Sequence, residues 1–337
     1  MKLAAFSVFS AVLPSLVHGS SYRLSEDWSG HNFLSNFHFE TFDDPTHGRV
    51  QYVDRDKAFS ENLVRVSRDS VILAADHKTK LSSGGPGRKS VRIRSKRQFH
   101  SGVTVFDIRH MPEGCGTWPA VWTLGDNWPT NGEIDILEGV NNQPFNEVTL
   151  HTSKGCTMPR RRRQTGEVQE TNCDARANSN TGCGVKSADR SSFGPRFNDN
   201  GGGWYALEKT SDFIKIWFWS REDPSVPSDV RKGSAKISTG KWGKPTGYFP
   251  GDDCDIDKFF GPQNIVINLT FCGDWAGNTY ERSKCPSNCI NYVNKHPEAF
   301  KDAFFDFAGI RFYESGSGVQ SGGNHDGILD GVFEKVI

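Results

Sequence analysis

The chain has 337 residues, and its forty Lys and Arg balance forty Asp and Glu. A formal charge of zero leaves no global field to recruit nucleic acid or an anionic membrane surface, so neither is expected as a partner and an uncharged polysaccharide fits. Hydrophobic residues make up 35% and aromatics 12%, enough for a sizeable core, and nine Trp exceed what a core alone requires.

The first nineteen residues read as a secretory signal. Lys2 supplies the positive start, Leu3 to Leu16 the apolar stretch, and Val17-His18-Gly19 the cleavage region. Pro14 and Ser15 interrupt the run, which is too short for a membrane anchor. No interior linker divides the remainder, so residues 20–314 are taken as one domain, followed by a flexible tail at 315–337 in which SGSGVQSGGNHDG has linker composition. All eight Cys (Cys115, Cys156, Cys173, Cys183, Cys254, Cys272, Cys285, Cys289) lie in the exported part. An even number in an oxidising compartment predicts four disulfides, although eight cysteines allow about 105 pairings. Cys285 and Cys289 are close enough to clip a local loop, and no paired CxxC units suggest zinc instead.

From Ser21 onward the chain is a series of short alternating runs, among them RVQYVD, SVRIRS, WPAVWTL, EIDILEGV, EVTLHT, DFIKIWFWS and NIVINLTF, broken by Gly, Ser and Asp-Pro clusters. No helical period is convincing. The pattern predicts an all-β sandwich of two antiparallel sheets. Arg92 and Arg94 share one face of SVRIRS, either as a solvated strand face or as donors to a ligand. Trp118 and Trp122 share a strand face and Trp128 follows in the next turn; each is a core residue or a binding platform. Asn131 shapes the turn ahead of the next strand or bonds a hydroxyl. His151 lies in the strand after that. Between His151 and Gly203 runs a long polar excursion with Arg160–Arg163, read as a solvated loop. Asn268-Leu269-Thr270 is an N-glycosylation sequon inside a strand, so a glycoprotein is a further expectation.

The segment Asn131–Asn141, NGEIDILEGVN, sets three carboxylates in one apolar strand. In a regular strand Glu133 and Asp135 share a face while Glu138 falls on the other with Ile134 and Ile136. A β-bulge around Ile136–Leu137 would bring Glu138 back to the first face. Glu133 and Glu138 would then be about 13 Å apart at Cα, and inward-leaning side chains leave roughly 5 Å between carboxyls. That gap suits double displacement with retention, whereas inversion needs about 6.5–9.5 Å. A metal site is the competing reading, but hard-cation sites draw their oxygens from loops rather than one strand.

With Glu133-x-Asp135-x-x-Glu138 and DPTHGRVQYVD, GPGRKSVRIRS, GCGTWPAVW, GGGWYALE and NLTFCGDWAG, the chain resembles glycoside hydrolase family 16, in particular secreted fungal laminarinase-like endo-1,3(4)-β-glucanases. The resemblance implies a concanavalin-like β-jelly roll with one sheet curved into a cleft and no cofactor or metal. It implies a monomeric, extracellular or cell-wall enzyme hydrolysing internal β-1,3 or mixed β-1,3/1,4 bonds. Glu133 would be the nucleophile, Glu138 the acid/base and Asp135 their assistant; Trp118, Trp122, Trp128, Arg92, Asn131, His151 and Trp275 would contact sugar. A cell-wall transglycosylase and a non-catalytic glucan-binding lectin are the alternatives. Both use the same fold.

Overall fold

The computed structural model describes residues 21–315, so the signal segment and all but the first residue of the tail lie outside the described residues. Strands dominate as the alternation predicts, and the helical segments among the described residues are only three to seven residues long. Two large antiparallel sheets face each other. In the first, neighbours run Glu167–Val168, Val185–Lys186, Glu147–His151, Glu133–Glu138, Thr117–Gly125, Gln263–Phe271, Arg92–Ser95 and Phe37–Phe39. The second is built around Phe304–Ser315, Gly102–His110, Gly203–Lys209 and Phe213–Ser220. Ile134, Ile136, Ile265 and Ile267 from the first sheet meet Phe106, Ile108, Leu207 and Ile216 from the second in one buried core.

The nine Trp divide among three places. Trp28 lies in this core, and Trp204, Trp217, Trp219 and Trp242 pack on the far side of the second sheet. Only Trp118, Trp122, Trp128 and Trp275 are left for the open face of the first sheet. The surplus read from composition therefore has two destinations, and half of it is a second apolar cluster that composition cannot distinguish from a binding surface.

The predicted irregularity sits in the strand Glu133–Glu138. Asp135 pairs with Trp122 and Leu137 with Val121, so Ile136 is the extra residue. Ile134, Ile136 and Leu137 are all fully buried, while Glu133 and Glu138 are partly exposed. Two successive apolar side chains thus enter the core, and Glu138 returns to the face of Glu133 and Asp135. The other neighbour, Glu147–His151, pairs only as far as Asp135. Beyond it the buried side chain of Asn146 takes over: Glu138 N–H donates to Oδ1 (2.8 Å) and Nδ2 donates to the Ile136 carbonyl (2.9 Å). One amide thus satisfies a backbone donor and a backbone acceptor beyond the end of that pairing.

All four disulfides form: Cys115–Cys285, Cys156–Cys254, Cys173–Cys183 and Cys272–Cys289. The local clip expected from Cys285 and Cys289 is absent, because each bonds a cysteine near the end of a cleft strand, Cys115 and Cys272. Sequence proximity was a poor guide here since both partners follow the loop back onto the sheet.

Asn146→Ala leaves a buried donor and a buried acceptor unpaired, at about 1–3 kcal/mol each. A loss of about 2–4 kcal/mol is expected, read by urea denaturation; a loss below about 1 kcal/mol would mean water replaces the amide.

Candidate active site

Cross-strand register puts Glu133 opposite His151 and Asp135 opposite both Thr149 and Trp122. Each glutamate is held by an indole. Trp128 Nε1 donates to Glu133 Oε2 (2.6 Å), and Trp118 Nε1 donates to Glu138 Oε1 (2.9 Å). Between them Asp135, 2% exposed, pairs with His151 Nε2 at 3.3 Å. His151 Nδ1 in turn lies 2.9 Å from Asn180 Oδ1.

The charges are strongly coupled. Burial, then the Asp135 carboxylate, raises Glu133 to about 8, with His151 and the Trp128 bond pulling the other way. Burial and Asp135 also push Glu138 well above the ordinary carboxylate range. For His151 burial alone would lower the pKa, but the bond to Asp135 and the charges of Glu133, Asp135 and Glu138 prevail and lift it to about 9. These shifts favour a cationic ring paired with Asp135 and favour the protonated form of both glutamates. Of the two, Glu133 ionises first, since His151 acts on it more strongly than on Glu138.

Ligand atoms of Glu133, Asp135 and His151 lie within 4.8 Å of one another, a spacing a cation could use. The donors fit poorly at neutral pH, because the proton on His151 would have to leave before the ring could coordinate.

Farther along the sheet, Arg92 is buried between the rings of Trp122 and Phe42 (5.1 and 5.0 Å) and donates to Glu40 Oε2 (2.7 Å). Trp122 Nε1 donates to Asn268 Oδ1 (2.8 Å), and Asn268 Nδ2 to Tyr52 (3.2 Å). Arg94, on the same face, bonds Asn264 and Asp126. On the other side Trp275 meets Trp118 edge to face, ring centres 5.7 Å apart. Asn131 spends its amide nitrogen on the Asp126 carbonyl and so braces the turn. Arg160, Arg161 and Arg163 are exposed, whereas Arg162 covers the ring of Phe249.

Asn268 is 7% exposed in mid-strand with both ends of its amide engaged. The indole N–H groups of Trp128, Trp118 and Trp122 are taken up by Glu133, Glu138 and Asn268, so these three offer ring surface to the cleft rather than a donor.

A model of the XgeA-like catalytic GH16 domain matches residues 37–313. The chain belongs to glycoside hydrolase family 16. A probable glycosidase of Schizosaccharomyces pombe is 44% identical over 298 residues, 87% of this chain and 70% of that protein. Laminarinase 16A of Phanerochaete chrysosporium, solved with β-glucans in its donor and acceptor sites, is 51% identical with a TM-score of 0.86, covering 88% of this chain and 100% of that one. A solved family 16 enzyme described as an elongating β-1,3-glucosyltransferase is 42% identical at a TM-score of 0.82, covering 87% and 100%. Aspergillus proteins named probable endo-1,3(4)-β-glucanase match 94% of this chain but only 43% to 50% of their own length. The family 16 chain is thus a glycoside hydrolase of the laminarinase type with the jelly-roll fold.

Sequence reading passed over Glu40, Phe42, Tyr52, Asn146 and Asn180. Asn268 was visible only as a sequon. No short motif marks the others: Glu40, Phe42, Tyr52 and Asn180 act through partners distant in sequence, and Asn146 through a side chain folded back on the preceding strand.

If His151 is a cation at neutral pH, its ring nitrogens should titrate by NMR well above 6.5. Glu133→Gln, by removing one of the charges that raise it, should lower that midpoint. A midpoint near 6.5 in both proteins would refute the pairing.

Proposed function

We propose that the protein is a secreted, monomeric endo-β-glucanase that cleaves internal β-1,3 bonds, and β-1,3/1,4 mixed-linkage chains, with retention at the anomeric carbon. The observation that carries this reading is the bulged strand, on which three carboxylates share the cleft face and each glutamate accepts from its own tryptophan. Neutral glucan suits a chain without net charge and a cleft lined by Trp118, Trp122, Trp128 and Trp275. Four disulfides suit an extracellular setting.

Glu133 is the nucleophile and Glu138 the acid. Ionised Glu133 attacks the anomeric carbon while Glu138 protonates the departing oxygen, giving a glycosyl ester on Glu133. Glu138 then takes a proton from water, which attacks the same carbon and frees Glu133. Asp135, paired with His151, keeps a fixed negative charge between the two. That charge holds the proton on Glu138 until the leaving oxygen needs it. Arg92 and Asn268 line the glycone side of the cleft, and Trp118 with Trp275 the aglycone side.

The second reading is glucan transfer, favoured by the acceptor-side pair Trp118 and Trp275 and by the likeness to a solved glucosyltransferase. An acceptor sugar then replaces water. Mass spectrometry of products from laminarin, lichenan and a branched glucan, repeated at high oligosaccharide concentration, separates hydrolysis from elongation.

Glu133→Gln should cut turnover of laminarin by at least about 10⁴-fold while oligosaccharides still bind; residual activity near wild type would overturn the roles. The two indoles give a sharper test. Each bond favours the ionised glutamate, so removing it raises that pKa. Trp128→Phe should move the acidic, ascending limb of kcat/KM to higher pH, and Trp118→Phe should move the basic, descending limb to higher pH. Exchanged limbs would mean exchanged roles.

A further inference from the structure

The mechanism uses one nitrogen of His151, and the other is also engaged. Nδ1 lies 2.9 Å from Oδ1 of Asn180, which belongs to no strand of the cleft. Asn180 comes from the ten-residue loop closed by Cys173–Cys183. Three consecutive residues there, Asn178, Ser179 and Asn180, have left-handed backbone (φ 49°, 57° and 60°). Asn adopts this conformation readily as a single residue, whereas Ser179 does not, and three such residues in a row mark a tightly turned loop. Gly182, at φ +63°, completes the turn: a Cβ on it would stand 2.8 Å from His151 Cε1 and 2.7 Å from the Leu150 carbonyl. The loop backbone thus closes on the edge of the imidazole, and the amide oxygen meets its outer nitrogen.

Nε2 makes an ion pair with Asp135 Oδ2 at 3.3 Å that is not a formed hydrogen bond, and an amide oxygen meets Nδ1, so a ring with hydrogen on both nitrogens suits its two neighbours. We propose that Asn180 is a positioning residue for catalysis, fixing His151 as a two-donor ring against Asp135, and that the Cys173–Cys183 disulfide holds Asn180 in reach. This deepens the carboxylate roles given above and rests on them. The charges that reach the ring come from Glu133, Asp135 and Glu138, all on the opposite strand. The loop contributes a neutral acceptor, so it supplies geometry and a hydrogen-bond partner rather than charge.

Without Asn180 the Nδ1 hydrogen loses its partner, the ring can turn, and it gives up its proton more readily. Glu133 then loses a nearby cation and holds its own proton to higher pH. The link runs from a loop amide through an imidazole to the nucleophile.

In the full protein, Asn180→Ala should lower kcat on laminarin about tenfold, as loss of an outer partner commonly does, with KM changed less than about twofold. The ascending limb of kcat/KM should move to higher pH. Asn180→Asp keeps an acceptor oxygen and should recover most of kcat. Replacing both Cys173 and Cys183 by Ser should give the same displacement of the limb, and adding Asn180→Ala to that variant should cost little more. A direct readout uses no turnover: the NMR titration of His151 in the resting protein should fall in Asn180→Ala and return in Asn180→Asp.

Unchanged kcat and an unchanged His151 titration in folded Asn180→Ala would overturn the proposal. If the titration falls as expected but wild type hydrolyses nothing, the carboxylate roles fail instead. Should the Ala variant not fold, Asn180→Ser decides: its short hydroxyl cannot reach the ring, so wild-type behaviour there against an equal Asp variant would overturn the assignment.

Discussion

Everything in the cleft depends on how the strand Glu133–Glu138 gains one residue without losing its backbone hydrogen bonds. The bulge at Ile136 lies in the pairing with Thr117–Gly125, and on the other edge, where pairing with Glu147–His151 ends at Asp135, the single amide of Asn146 bonds both the Ile136 carbonyl and the Glu138 N–H. A simpler strand could not do the same work. Sliding the whole register by one residue would expose Ile134 and Ile136 and drive Glu133 and Asp135 into the core, where an unpaired carboxylate costs several kcal/mol or must take up a proton. The apolar residues and the carboxylates therefore enforce one register from opposite faces. The irregularity turns Leu137 into the core and Glu138 onto the cleft face.

Bringing three carboxylates together creates an electrostatic problem that the neighbouring side chains divide. His151 neutralises Asp135, which is the most deeply buried of the three. The glutamates each receive one indole N–H, a neutral donor that stabilises negative charge without abolishing the rise in pKa caused by burial. A lysine or arginine in place of either tryptophan would fix both glutamates as anions and leave no acid. The aromatic residues thus serve two ends at once: their N–H groups tune the carboxyls, and Trp128, 46% exposed, still offers ring surface to the cleft.

Much of this was legible in the sequence because it follows from period-two alternation. The sandwich, the shared face of Glu133 and Asp135, and the need for one extra residue near Ile136 can all be read from EIDILE and its apolar neighbours. Cysteine pairing was not, since Cys285 and Cys289 bond partners brought close only by the strands ending at Cys115 and Cys272. The bonds of Asn268 were hidden for a related reason. Its sequon is local, whereas the bonds to Trp122 and Tyr52 that occupy it depend on the register of three separate strands and segments. Asn146 left no local mark, and neither did Asn180, whose loop reads as polar filler until the disulfide closes it.

A division of labour follows between sheet and loops. Glu133, Asp135, Glu138, His151, Trp118 and Asn268 are set by strand register, which fixes side chains to within the tolerance that bond-making requires. Trp128, Trp275, Phe42 and Asn180 come from connections, where register gives no control. For Trp275 and Asn180 the chain supplies that control covalently: Cys115–Cys285 and Cys272–Cys289 bind the segment carrying Trp275 to the ends of two cleft strands, and Cys173–Cys183 closes the loop carrying Asn180. Cross-linking removes alternatives mainly from the unfolded and locally opened chain. The chain can therefore keep long polar loops beside its cleft and still deliver single side chains from them to defined atoms of the cleft.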